Sequence, residues 1–201
     1  MTTERLSARL VLGIRAALAL LFGLAGSFMV VLAAFAPGTT TVLIVQLFAS
    51  YALLDGLLSI LAGARAASRV LPRSFMVLEG LVSIGTGVAA FILIGGYVER
   101  RPGELLTLIA MWALVTGALQ LGWTFSGDIR RGRPLLVAAA ALALVFGASL
   151  LGWRPPDLMT AVWRLALYAL LLGVLRLVAT LRLRGSDHAH PENLPTRRTQ
   201  A

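Results

Sequence analysis

Residues 51–61 read YALLDGLLSIL: an aromatic, an Ala-Leu pair, and a glycine in sixth place with a lone carboxylate, Asp55, just before it. The same frame returns at 112–122 as WALVTGALQLG and at 168–178 as YALLLGVLRLV. Aligned without gaps, the three copies place Gly56, Gly117 and Gly173 in register, and each copy runs into a basic segment. Ala52 with Gly56, Ala113 with Gly117, and Ala169 with Gly173 are small-xxx-small pairs. Such pairs let helix backbones approach closely where lipid supplies no hydrophobic drive. Each copy is preceded by a Pro-bearing turn, Pro37-Gly38, Pro102-Gly103 or Pro155-Pro156, and by another apolar stretch. The repeating unit is therefore a helical hairpin of about 60 residues, used three times.

The rest of the chain fits that reading. Of 201 residues 58% are apolar and 13% charged, half the charge of a soluble domain, which carries about 25%. A water-soluble globule is excluded. No charged side chain occurs in 16–54, 80–98, 105–127 or 134–153. A bilayer core needs about 20 apolar residues in a helix, so each run is long enough to cross, and the first crosses twice. Broken at Pro, Gly and Arg, the sequence predicts helices near 12–36, 41–63, 75–97, 104–125, 134–153 and 158–181. The first stretch is too long for a signal peptide, and Pro37 would follow the cut after Ala34-Phe35-Ala36, so a retained helix is expected.

The eighteen basic residues are all Arg; with nine acids they give net +9. In a soluble domain that charge would suggest nucleic acid; here the Arg flank apolar runs, and no nucleic-acid partner is expected. Arg5, Arg9, Arg15, Arg65, Arg69, Arg73, Arg130, Arg131, Arg133, Arg182, Arg184, Arg197 and Arg198 fall on one side, against Arg100, Arg101 and Arg154 on the other. The positive-inside rule then puts both termini in the cytoplasm. The expected fold class is an all-α polytopic membrane protein, with six transmembrane helices arranged as three parallel two-helix hairpins. The hairpins cover about 10–63, 75–125 and 134–181 of a helical domain, 1–182, and the even-numbered helices are expected to pack centrally. Residues 183–201 read as a disordered cytoplasmic tail.

Over roughly residues 8–181, the three hairpins, the aromatic-Ala-Leu cores and the Pro turns resemble the HdeD acid-resistance family of short-repeat bacterial inner-membrane proteins. The resemblance implies a multi-pass protein of the bacterial inner (plasma) membrane linked with survival of acid stress; it brings no catalytic residues and no established molecular activity. The place before the shared glycine departs from a strict repeat, being Asp55, Thr116 and Leu172 in turn.

Ionisable groups inside a membrane are costly and mark functional hypotheses. Here they are Arg15, Asp55, Glu79, Arg164 and Arg176. All but Arg164 fall in the cytoplasmic half, two of each sign. In one reading Asp55 pairs with Arg15 or Arg176 and ties hairpins together. In the other, Asp55 and Glu79 line a polar cavity open to the cytoplasm and exchange protons, with Asp55, the deeper, as the leading candidate. Ser59, Gln120 and Arg176 stand three residues after the shared glycines and are expected to join Asp55 in a polar cluster on a common axis. Arg164 is expected to snorkel outward or to pair with Asp157.

Other chemistry is thin. There is no cysteine, the histidines His188 and His190 stand together in the tail, and Gly85-Thr86-Gly87 lies mid-membrane without a strand before it. No enzyme, cofactor or metal site is expected. The expected partners are the bilayer itself and anionic headgroups, drawn to Arg130, Arg131 and Arg133. Two leftover small-residue faces, Gly23 with Ser27 and Ser83 with Gly87, suit a homo-oligomer. The functional readings are a non-enzymatic acid-stress protein and a small transporter or proton- or weak-acid-conducting protein using Asp55 and Glu79.

Overall fold

The computed structural model describes residues 2–33, 35, 37–65, 70–94, 102–126, 133–153 and 158–185. They form six helices: α1 (Thr2–Ala33), α2 (Pro37–Arg65), α3 (Val70–Ile94), α4 (Pro102–Ser126), α5 (Arg133–Gly152) and α6 (Leu158–Gly185). No strand occurs among the described residues. Every helix contains a stretch of 20 to 24 residues apolar enough to cross a bilayer, so the chain has the all-α architecture of a polytopic membrane protein. Within such a layer a helix satisfies its own backbone hydrogen bonds, which is why lipid admits it.

Several ends differ from expectation. The first helix begins ten residues early, because nothing in TTERLSARLV breaks a helix once it leaves the lipid. The second and fourth start on Pro37 and Pro102. Proline lacks only an N–H that the first turn leaves unpaired in any case. At the other terminus α6 runs on through Leu183, Arg184 and Gly185, residues assigned above to the tail. The remainder of the tail, with His188, His190, Arg197 and Arg198, lies outside the described residues. So do Arg69, Arg100, Arg101, Arg130, Arg131, Arg154 and Asp157.

The helices form a closed ring in chain order, each antiparallel to its neighbours, with α1 against α6 completing the circle. The tightest seams are α2/α3, α6/α1 and α4/α5. The closest partners are thus each even-numbered helix and the odd-numbered helix that follows it, with α6 returning to α1. Glycine explains the choice. A Cβ on Gly56 would come within 2.6 Å of the Gly80 carbonyl, one on Gly173 within 2.9 Å of the Leu20 backbone nitrogen, and one on Gly117 within 3.1 Å of the Ala140 carbonyl. The register repeats at all three seams: Gly87, Gly147 and Gly23 of the odd helices meet Leu53, Leu114 and Leu170, the third residue of each copy of the motif.

The small-residue faces proposed above for a homo-oligomer are consumed by this packing. Gly23 lies against Leu170, Gly87 against Ala49 and Leu53, and Ser83 is fully buried. Residues turned outward, such as Leu21, Phe28, Ile92 and Val145, are large and apolar, as a lipid-facing surface requires. The even-numbered helices are buried more deeply than the odd ones. Their leading aromatics Tyr51, Trp112 and Tyr168 all enter the core. Tyr51 stacks on Phe22 at 4.5 Å and meets Trp112 edge-on at 6.1 Å, while Tyr168 stacks on Phe146 at 4.2 Å. This aromatic layer divides the interior into two unlike halves.

Candidate functional site

One half, at the end where α1 begins and α6 finishes, holds charge. Arg15 of α1, Asp55 of α2, Glu79 of α3 and Arg176 of α6 are each no more than 5% exposed. The Arg15 guanidinium donates to Asp55 in two parallel bonds, Nε to Oδ1 at 2.8 Å and Nη2 to Oδ2 at 2.8 Å. Its Nη2 also donates to Oε1 of Glu79 at 2.6 Å, and Nη1 of Arg176 donates to Oδ1 of Asp55 at 3.3 Å. Two cations balance two anions. The planar fork of arginine suits the bidentate pair, and charge-assisted bonds of this kind are the strong ones.

The seam glycines put the charges there. Gly56 and Gly80 bring the α2 and α3 backbones together beside Asp55 and Glu79, and Arg15 bridges the two carboxylates. At about 1.5 Å per helical residue the carboxylates lie about 9 to 14 Å inside the apolar spans. The network is not threefold. In the α4/α5 seam the corresponding positions are Thr116 and Ala139, and the Thr116 hydroxyl donates to the Trp112 carbonyl of its own helix at 2.7 Å.

The remaining polar candidates are distributed unevenly. Ser59 and Gln120 are buried at the same end as Arg176. Arg176 joins Asp55, the main-chain carbonyl of Gln120 accepts a bond from the Thr124 hydroxyl, and the Ser59 hydroxyl has no partner. The packing residues Ala52, Ala113 and Ala169 are wholly buried beside their glycines. Arg164, at the opposite end, donates from Nη1 to the Trp153 carbonyl at 3.0 Å and lies 5.8 Å from that indole ring.

The charged residues also differ in how fully they are satisfied. Asp55 accepts three bonds from two arginines. Glu79 accepts one, and its second oxygen, Oε2, is buried without a partner. The sequence reading favoured Asp55 on depth; the geometry singles out Glu79. Depth is legible in a string of residues, whereas the number of donors aimed at a carboxylate is not. A second contact missed from sequence is the Trp112 indole N–H donating to Ser83 Oγ at 3.0 Å, which joins α4 to α3 above the charges.

Beyond the aromatic layer the buried side chains are apolar apart from Thr40. Ile44, Phe48, Leu106, Ile109, Leu150 and Val162, with four further apolar residues, enclose a cavity of only about 20 Å³. That is room for one water molecule by volume, but a cavity lined this way offers no polar group to hold it. Among the described residues no cluster of three His, Cys, Asp or Glu exists to bind a metal. The arrangement can clasp four helices by charge at one end, and it packs apolar side chains around a small cavity at the other.

No curated protein and no solved structure matches the chain. Residues 10–92 match a family described as a short repeat of unknown function (DUF308). That segment carries α2 and most of α1 and α3, hence Arg15, Asp55 and Glu79, so the chain is a membrane protein similar over this stretch to a short-repeat family.

Proposed function

We propose that this is a non-enzymatic integral membrane protein of the acid-stress-resistance, HdeD-like type, whose buried charges are structural. It sits in the bacterial inner membrane with both termini in the cytoplasm, as the arginine distribution favours. The observation that carries the reading is the pairing of Arg15 and Arg176 with Asp55, a clasp across α1, α2 and α6 that leaves no mobile charge on Asp55. The short-repeat match over 10–92 supports the family side of the reading. A transporter or proton conductor built on Asp55 and Glu79 is the less favoured alternative, since a path from them to the far side would run through the apolar half of the bundle.

Acid survival of a strain lacking the chain tests the proposal when it is complemented with wild type, Asp55→Asn or Glu79→Gln. Wild type is expected to restore survival, and Asp55→Asn to lose it together with the amount of folded protein. If wild type gives no protection, the stress role is wrong. If Asp55→Asn abolishes protection at wild-type abundance, the charge acts chemically and the structural reading fails.

A further inference from the structure

The α3 and α4 helices meet outside the three tight seams, and at the end opposite the buried charges they leave a groove of about 620 Å³ between them. Ligand sites span about 300–1,000 Å³, so the hollow is large enough to hold a molecule. Ala89 and Ile92 line it from α3, and Ile92, 71% exposed, stands on its lipid-facing rim. From α4 the lining runs Gly103, Glu104, Thr107, Leu108 and Met111. It starts with a carboxylate where the apolar span starts, and it ends on an apolar side chain about 10 Å further in.

The sequence repeat shows that this composition belongs to α4 and not to its counterparts. In the frame that aligns Tyr51, Trp112 and Tyr168, Gly103 answers to Val42 of α2, Thr107 to Trp163 of α6, and Glu104 to Leu43 and Thr160. A residue without a side chain thus stands where α2 has a valine, and a threonine where α6 has a tryptophan, which leaves room beside α4. The carboxylate is exposed, and it is the one charged group among the residues that line the groove. Helix packing asks for neither feature, because the glycines that close the seams lie elsewhere.

We propose that the groove seats one phospholipid whose headgroup carries an ammonium group, with that group on Glu104 and an acyl chain along Leu108 and Met111. Headgroups flank the hydrocarbon core, which is the level of Glu104 at the start of its span. Basic pockets between helices select anionic headgroups, and an acidic mouth reverses the sign. Thr107 brings no competing charge; its hydroxyl donates to the Gly103 carbonyl of its own helix at 2.8 Å. The inference needs the membrane reading of the fold and is independent of the stress role.

Native mass spectra of the full-length chain, released from nanodiscs of equal parts phosphatidylethanolamine and phosphatidylglycerol with the same acyl chains, test it. Wild type is expected to retain one lipid, the ethanolamine form over the glycerol form by roughly fivefold, which one exposed ion pair can supply. Glu104→Gln is expected to keep the lipid and lose the preference. Thr107→Trp, which places in the groove the residue that α6 carries at that position, is expected to lose the lipid. A wild type that retains no lipid, equal retention of the two headgroups, or a preference that survives Glu104→Gln overturns the proposal. So does a preference for the glycerol form, which would point instead to Arg100 and Arg101, the residues before Pro102 in the sequence. Unchanged retention in Thr107→Trp removes the groove as the seat, as do dimers that form in place of bound lipid. Should Thr107→Trp fail to fold, Glu104→Gln decides alone, because its side chain is exposed and outside the seams.

Discussion

At the residue scale Asp55 and Glu79 differ in what their amides would do. In Asp55→Asn an NH₂ group replaces an oxygen that now accepts from arginine, so donor faces donor and two buried cations are left with one counter-charge, Glu79. Breaking one partner of a buried ion pair costs about 3–5 kcal/mol. In Glu79→Gln the carbonyl can keep the Arg15 bond while the NH₂ takes the place of the orphan oxygen. That substitution also removes one buried counter-charge but keeps the Arg15 hydrogen bond and leaves the Asp55 pairs intact, so it is expected to cost less than Asp55→Asn. Thermal unfolding in detergent checks the order; equal losses for the two variants would show that the network does not distinguish its carboxylates. The four charges and their shared depth were legible in the sequence, since ionisable residues stand out in an apolar chain. The pairing of Asp55 with Arg15 or Arg176 was legible as one reading; that both arginines take it and that Arg15 also holds Glu79 was not, because pairing depends on which helices adjoin.

At the element scale the seams rest on glycine. A methyl group on Gly56 meets the Gly80 carbonyl at 2.6 Å and the Ile84 backbone nitrogen at 2.9 Å, neither of which is a flexible side-chain end. Gly56→Ala is expected to force α2 from α3 at a cost of about 1–3 kcal/mol, the usual range for overpacking. Gly85, on the outer face of α3, has nothing within 4 Å of a built Cβ. Gly85→Ala should be neutral or stabilising, by up to about 1 kcal/mol from helix propensity. Unfolding of both variants separates packing from propensity, and equal effects would contradict the seam. The repeat and its glycines were plain in the sequence. What stayed hidden was that Gly56, Gly117 and Gly173 face the odd-numbered helix next in the ring; Ser83 with Gly87 carried that signal but read as a spare face.

At the scale of the whole molecule, the contact between α1 and α6 turns a row of helices into a ring. A Cβ on Gly26 would stand 3.2 Å from that of Ala166, slightly inside the roughly 3.5–4.5 Å of a disulfide. The chain has no cysteine of its own. Gly26→Cys with Ala166→Cys is therefore expected to oxidise to an intramolecular bridge. With a protease site inserted between Ile129 and Arg130, the cut halves should stay joined on a non-reducing gel and part on reduction. Halves that separate without reductant would mean an open row.

The ring also separates two unlike interiors. Charge is clasped at one end, aromatics close the middle, and the other half packs apolar side chains around a cavity of about 20 Å³. The most direct measurement is proton flux into proteoliposomes of the full chain carrying a lumenal pH dye, with wild type, Asp55→Asn and empty liposomes side by side. The predicted result is no flux above empty liposomes for either protein. Proton or weak-acid flux through wild type that vanishes in Asp55→Asn would contradict the account and make the buried charges a pathway.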